Sequence, residues 1–92
     1  MSARWDRLSA VLRERGIEHS VERRPYKGGT TVSIYIPLAG NECVEIHDGW
    51  WHDNWTGWTV YRMNSNSICT EYLRRSKRKG ETADAVVKAV SA

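Results

Sequence analysis

The sequence has no phenylalanine, only two cysteines and two prolines, and no long apolar run. Cys43 and Cys69 lack a Cys-x-x-Cys spacing and are too few for a disulfide scaffold, which predicts two reduced thiols. No segment approaches the roughly 20 apolar residues of a membrane span. Charged residues stand near the N-terminus, where a secretory signal needs an apolar stretch. We therefore expect a cytoplasmic protein without a membrane partner.

The chain is long enough for one thin core. Its 92 residues predict a single domain, residues 1–92, which buries roughly 60–65% of the surface that the unfolded chain exposes. Hydrophobic residues make up 40% and charged residues 27%, which is typical of a folded domain. Because phenylalanine is missing, tryptophan and tyrosine supply all the aromatic bulk, and both carry a polar group that needs a partner when buried.

Hydrophobic periodicity predicts a helix at each end of the chain and strands between them. Trp5 and Leu8 begin an apolar stripe at helical spacing, whereas Ile34 and Ile36 belong to a clear alternating strand. The predicted elements are a helix over 3–15, strands over 17–25, 30–38, 42–47, 58–63 and 68–75, and a helix over 82–90.

The connections between these strands are short, which favours an antiparallel meander. Gly28-Gly29 and Asp48-Gly49 are expected to form hairpin turns, since glycine adopts positive φ readily. We predict an α+β fold in the order α-β-β-β-β-β-α, with four to five strands and both helices packed on one face of the sheet. The pattern leaves open whether Val44 and Ile46 or their neighbours face the helices.

Residues 48–58 contain four of the five tryptophans. Trp5 and Trp58 fall on apolar faces of a helix and a strand, so we assign them to the core. Trp50 and Trp51 are adjacent and cannot both enter one core from an extended chain. At least one ring is therefore expected to be partly exposed, and it either packs over a sheet edge or under a loop, or anchors a partner. The predicted protein-binding residues are Trp50, Trp51, His52, Asp53 and Trp55.

A second candidate site is a basic segment that precedes the C-terminal helix. It places five cations within six residues, in a chain whose formal net charge is only +3. One interpretation is a solvated connector, and the other is contact with nucleic-acid phosphates. The predicted nucleic-acid-binding residues are Arg74, Arg75, Lys77, Arg78 and Lys79.

The order of elements gives this basic corner a topological resemblance to the double-stranded-RNA-binding domain. That family also runs helix, antiparallel sheet, helix, with a lysine-rich stretch before an alanine-rich second helix. Ser76-Lys77-Arg78-Lys79 followed by Ala83, Ala85 and Ala89 is similar to that corner. The inserted Gly80-Glu81 and the additional strands depart from the family pattern. The resemblance implies contact between the basic segment and RNA.

The sequence does not favour enzyme chemistry. Cys43, Glu45 and His47 share a strand face, but their spacing matches no strong zinc pattern. No phosphate-binding loop, nucleophile elbow or dinucleotide fingerprint is found. A domain of this size also has little room for a deep pocket. We therefore predict no catalytic residues, no metal, no cofactor and no small-molecule substrate.

The style of the whole chain resembles small accessory proteins encoded by actinobacterial viruses. The resemblance lies in the Trp- and Arg-rich composition, the opening Arg4-Trp5-Asp6-Arg7-Leu8 and the strand Gly57-Trp58-Thr59-Val60-Tyr61-Arg62. It implies a protein that acts in the cytoplasm of a bacterial host by binding a host macromolecule. We expect a non-catalytic binding module whose Trp-rich segment contacts a host protein or a second copy of itself. The alternative is nucleic-acid binding through the basic segment.

Overall fold

A computed structural model describes residues 3–26, 28–66 and 68–91, with the backbone alone at Tyr26. Five strands form one antiparallel sheet in the order β1-β2-β3-β4-β5, and a helix lies at each end of the chain. This arrangement confirms the predicted α+β meander. The elements are α1 (Ala3–Glu14), β1 (Ser20–Tyr26), β2 (Gly29–Pro37), β3 (Cys43–Trp51), β4 (Asn54–Met63), β5 (Cys69–Ser76) and α2 (Lys79–Ser91).

Helix α1 ends in a Schellman motif that directs the chain back toward the sheet. Gly16 takes a left-handed φ of 71°. The Ile17 N–H then donates to the carbonyl of Leu12 (3.0 Å), and the Gly16 N–H donates to that of Arg13 (3.0 Å). Ile17 is buried, so the helix end and the first core contact of the following segment are fixed together.

Both helices cover the same face of the sheet, as expected. Val44 and Ile46 of β3 point to this face, which settles the orientation that the sequence left open. Trp5 and Trp58 are also buried here and meet edge to face, with ring centroids 6.3 Å apart. The core residues are Trp5, Leu8, Leu12, Ile17, Ile34, Ile36, Val44, Ile46, Trp58, Val60, Ala83, Val86 and Ala89.

The turn predicted at Asp48-Gly49 was wrong. β3 continues through both residues to Trp51, and the chain turns at His52-Asp53, where His52 has a φ of 53°. Gly49 is needed for packing instead, because a Cβ there would lie 2.6 Å from Oγ1 of Thr56. The pairing register shifts here, since Gly49 pairs with Gly57 and Trp50 with Trp55, so Thr56 is the extra residue of a bulge in β4 opposite Gly49.

Most of the basic segment lies within regular structure, because the strand before it ends later and the helix after it begins earlier than predicted. β5 extends to Ser76 and α2 begins at Lys79, which leaves only Lys77 and Arg78 between them. Ahead of the helix, the Oγ of Ser76 accepts a hydrogen bond from the Arg78 N–H (2.9 Å), which holds the turn between β5 and α2. The Arg78 carbonyl then accepts from the N–H of Thr82 (3.1 Å). Neither helix, over the residues that the structure describes, is long and apolar enough to cross a membrane.

Burial of α2 can be tested with two identical substitutions one helical turn apart. Val86 is fully buried, whereas Val90 is 44% exposed. Val86→Ala should lower the free energy of unfolding by about 1–2 kcal/mol more than Val90→Ala, because it removes buried methyl groups and leaves a cavity. Helix propensity changes equally in both variants and cancels. Urea denaturation followed by circular dichroism measures the difference, and equal midpoints would contradict this packing.

Candidate functional site

The β3–β4 hairpin carries the exposed tryptophans. Trp50 is 55% exposed and Trp51 is 68% exposed, whereas Trp55 is half-buried. Trp50 pairs directly with Trp55 across the hairpin, so these two side chains share one face. Trp51 follows Trp50 and lies on the opposite face, where its ring meets that of His52 at 4.8 Å. The three rings therefore serve two different surfaces.

A single carboxylate joins this hairpin to α1. Asp48 accepts a hydrogen bond from the Trp55 indole at Oδ1 (2.8 Å) and one from the Trp5 indole at Oδ2 (3.1 Å). The Trp55 ring also contacts Trp58 edge to face, with centroids 5.0 Å apart. Trp55 is thus packed against the core, and it has a structural role that the sequence did not predict for it.

Arg4 of α1 lies over the same aromatic face. Its guanidinium carbon is 3.9 Å from the centroid of the Trp55 ring and 5.8 Å from that of Trp50. Such cation–π contact holds a guanidinium beside the rings while its N–H groups stay available for an anion. Neither Arg4 nor its neighbour Arg7 was among the residues predicted from the sequence, because no local pattern shows that the first helix lies beside the tryptophans.

A cleft of about 700 Å³ separates this aromatic face from the start of α2. It brings together parts of the two sites predicted from the sequence, since one wall carries tryptophan and the other the basic segment. The N-terminal half of α1 completes it. The lining residues are Arg4, Arg7, Trp55, Trp58, Lys77, Arg78, Lys79, Gly80, Glu81 and Asp84.

The charges in the cleft are predominantly positive. Five of the lining residues are cationic and two are acidic. Both acids are engaged by arginines that do not line the cleft: Glu81 by Arg74 (2.9 Å) and Asp84 by Arg15. Among the described residues Arg7, Lys77 and Lys79 form no ion pair, while Arg78 reaches Glu81 only at 4.0 Å. The cleft therefore suits an anion.

Glu81 secures the wall formed by the basic segment. The Ser76 hydroxyl donates to its Oε1 (2.8 Å), and Nη2 of Arg74 donates to the same oxygen (2.9 Å). These two hydrogen bonds, the one from Ser76 foremost, lower the pKa of Glu81 below its ordinary value of 4.5. The carboxylate thereby fixes the end of β5 against the first turn of α2.

Two sets of N–H groups near the cleft have no hydrogen-bond acceptor among the described residues: the indole of Trp58, behind the cleft, and the first turn of α2, in its wall. The indole N–H of Trp58 is buried, and no described residue accepts its hydrogen bond. A buried donor left in this state costs about 1–3 kcal/mol. At the start of α2, Lys79, Gly80 and Glu81 precede the first intrahelical hydrogen bond, which Thr82 donates. Their N–H groups add partial positive charge to the same wall.

The structure separates the five basic residues predicted to act together. Lys77, Arg78 and Lys79 line the cleft. Arg74 is held by Glu81, and Arg75 lies on the open face of the sheet, where its Nε donates to Thr59 Oγ1 (3.3 Å). Strand residues alternate faces, which is why the two arginines diverge. His52 and Asp53 of the predicted protein-binding set lie exposed in the hairpin turn.

The open face of the sheet carries a polar row that crosses several strands. The His47 Nε2–H donates to Glu45 Oε1 (2.8 Å), and the His47 ring meets Tyr61 at 6.0 Å. Burial, followed by the charge of Glu45, raises the pKa of the Cys43 thiol above its usual 9.0, so the thiol stays protonated at neutral pH. Within the described ranges no group of three or more His, Cys, Asp or Glu side chains is placed to hold a metal ion.

Comparison with protein-family models, with curated proteins and with solved structures gave no match for this chain. The resemblances to the double-stranded-RNA-binding domain and to viral accessory proteins therefore stay predictions. The geometry of the cleft and of the hairpin is what bears on function.

The bridging role of Asp48 predicts a large loss of stability on its removal. Asp48→Ala leaves the indole N–H groups of Trp5 and Trp55 without their acceptor, and we expect the free energy of unfolding to fall by about 2–4 kcal/mol. Asp53→Ala, which truncates an exposed aspartate in the same hairpin, should change it by less than about 0.5 kcal/mol. Urea denaturation compares them, and similar midpoints would exclude the bridge.

The lowered pKa of Glu81 predicts a pH dependence of stability. Because the folded state lowers this pKa, the ionised carboxylate stabilises the fold above pH 4.5, and the contribution is lost as the pH falls through the lowered value. Glu81→Gln should therefore flatten the fall in urea midpoint on acidification. Glu71→Gln, on the exposed part of β5, makes the same chemical change and should keep the slope of the unaltered protein. Equal slopes for all three proteins would contradict the assignment.

Proposed function

We propose that this protein is a non-catalytic nucleic-acid-binding module whose binding site is the cleft between the Trp-rich hairpin and the start of α2. The observation that carries the proposal is that exposed Trp50 lies on the same face of the hairpin as the cleft, whose lining includes Lys77 and Lys79 without an ion-pair partner among the described residues. Cations bind phosphates and release counterions, while aromatic rings bind bases. In the sequence the Trp-rich segment and the basic segment are separate, and neither by itself predicts this combined site.

The electrostatic arrangement supports this proposal over a solvated connector. Within the basic segment only Arg74 and Arg78 reach an acid that the structure describes, and both reach Glu81, at 2.9 and 4.0 Å. Asp84 is engaged by Arg15 of the first helix, so Lys77 and Lys79 remain without acidic partners among the described residues. The carboxylates therefore help to position the wall of the cleft and do little to neutralise its cations.

Protein binding is a second candidate function, and the orientation of Trp51 favours it. This ring is 68% exposed and lies on the face of the hairpin opposite to Trp50 and the cleft. A large exposed aromatic residue is a common anchor at protein interfaces. A host protein or a second copy of the chain is the proposed partner there. For either function the proposed compartment is the cytoplasm of a bacterial host, which suits the two unpaired cysteines.

Fluorescence anisotropy with a short labelled oligodeoxynucleotide, single-stranded or duplex, tests the nucleic-acid proposal. Affinity should fall steeply with salt. In Lys77→Ala/Lys79→Ala the affinity should drop, and the slope of log K against log salt should decrease in magnitude by about 0.7–0.9 for each phosphate that the variant no longer neutralises.

The matched control is Arg13→Ala/Lys88→Ala, which removes the same charge away from the cleft. Lys88 lies nine residues beyond Lys79, about 13 Å along α2. This variant should bind with nearly unchanged affinity. No binding of either oligonucleotide at low salt would refute the proposal. An equal loss of affinity in the two double variants would show that only net charge matters, and the cleft would then not be the binding site.

A further inference from the structure

We infer that the cleft selects single-stranded over double-stranded nucleic acid, with one base stacked on Trp50 and an adjacent phosphate held between α1 and the start of α2. This inference rests on the proposed function and names the form of its ligand. The topological resemblance noted in the sequence implies the opposite preference, for a duplex. The exposed position of Trp50 favours the single strand over the duplex.

Trp50 is the ring available for stacking. It is 55% exposed and shares the face of Trp55, which lines the cleft. Trp55 itself is less accessible, because Arg4 covers it at 3.9 Å and Asp48 holds its indole nitrogen. Trp51 is more exposed than Trp50 but lies on the other face of the hairpin. Trp50 is thus the more accessible of the two rings on this face, with the Arg4 guanidinium carbon 5.8 Å from its centroid.

Stacking on an indole requires a base whose flat surface is accessible. In a duplex those surfaces are covered by neighbouring base pairs, and a protein reaches only the groove edges and the backbone. A single strand exposes them, and its flexible backbone can follow a curved cleft. Trp50 therefore contributes binding energy with a single strand that it cannot contribute with a duplex.

The adjacent phosphate position is defined by groups that converge on the cleft. Arg4 lies between the proposed base position and the proposed phosphate position, since its guanidinium carbon is 5.8 Å from the centroid of the Trp50 ring and 3.9 Å from that of Trp55. On the opposite wall, Lys77 precedes α2 and Lys79 begins it, and the N–H groups of this first turn have no intrahelical acceptor. These donors surround a position suited to an oxyanion.

The test compares affinities for a single strand, a duplex of the same sequence, and a strand of equal length in which every base is replaced by an abasic sugar. The single strand should bind most tightly. Trp50→Ala should weaken its binding by about fivefold or more, since stacking is worth about 1–3 kcal/mol per base. The same substitution should leave binding of the duplex and of the abasic strand within about twofold.

Two controls separate stacking from loss of structure. Trp51→Ala removes an exposed indole from the other face of the same hairpin and should leave single-strand affinity within about twofold of the unaltered protein. Trp50→Phe keeps an aromatic ring and should restore most of the affinity lost in Trp50→Ala. Urea midpoints of all three variants establish that each is folded.

The outcomes distinguish this inference from the function on which it rests. Equal affinity for single strand and duplex, together with no effect of Trp50→Ala, would overturn the single-strand preference while leaving nucleic-acid binding intact. Equal affinity for the intact and the abasic strand would reduce the cleft to an anion site and would also overturn it. Absence of binding to all three probes at low salt would refute both.

Discussion

The hydrogen bonds from two indoles to Asp48 join the first helix to the Trp-rich hairpin, and these two elements form one side of the cleft. One indole belongs to Trp5 in the first helix and the other to Trp55 in the fourth strand. A carboxylate has two acceptor oxygens, so one side chain can satisfy both donors at once. The first helix is thereby placed against the hairpin, and Arg4 comes to lie over the aromatic rings.

A small domain without phenylalanine uses tryptophan for several purposes. Trp5 and Trp58 fill the core, and Trp55 joins the core to the surface. Trp50 and Trp51 remain exposed, because the strand pairing that continues through Gly49 carries both beyond the covered part of the sheet. Each indole brings one N–H that must be satisfied when buried, which explains why a carboxylate lies among them. Trp58 is the one whose buried N–H lacks an acceptor among the described residues.

Distant segments of the chain build the cleft because the meander brings both of its ends to the same face of the sheet. Arg4 and Arg7 come from the first helix and Lys77 and Lys79 from the approach to the last. Their charges would repel one another in an isolated peptide, but the folded sheet holds them around one concave surface. Like charges gathered in this way raise the local concentration of an oppositely charged ligand. The fold thus accepts a modest electrostatic cost that an anionic ligand removes.

The order and type of the elements could be predicted from periodicity and loop length alone. Helical spacing at Trp5 and Leu8 and alternation around Ile34 and Ile36 reflect the two backbone periodicities, and short loops allow little besides a meander. Local patterns misplaced the hairpin turn, because Asp48-Gly49 has turn-forming chemistry whereas its glycine is required by the close approach of Thr56.

The candidate site, in contrast, could be recognised only in the folded chain. The sequence selected Trp50, Trp51, Trp55 and the segment around Lys77 as separate candidates, and it offered no reason to add the arginines of the first helix. Which strand residues share a face depends on register and bulges, and which cations remain unpaired depends on partners far along the chain, such as Arg15 for Asp84. Periodicity is a local property of the backbone. A surface such as this cleft is formed by residues that are far apart in the sequence and come together only after folding.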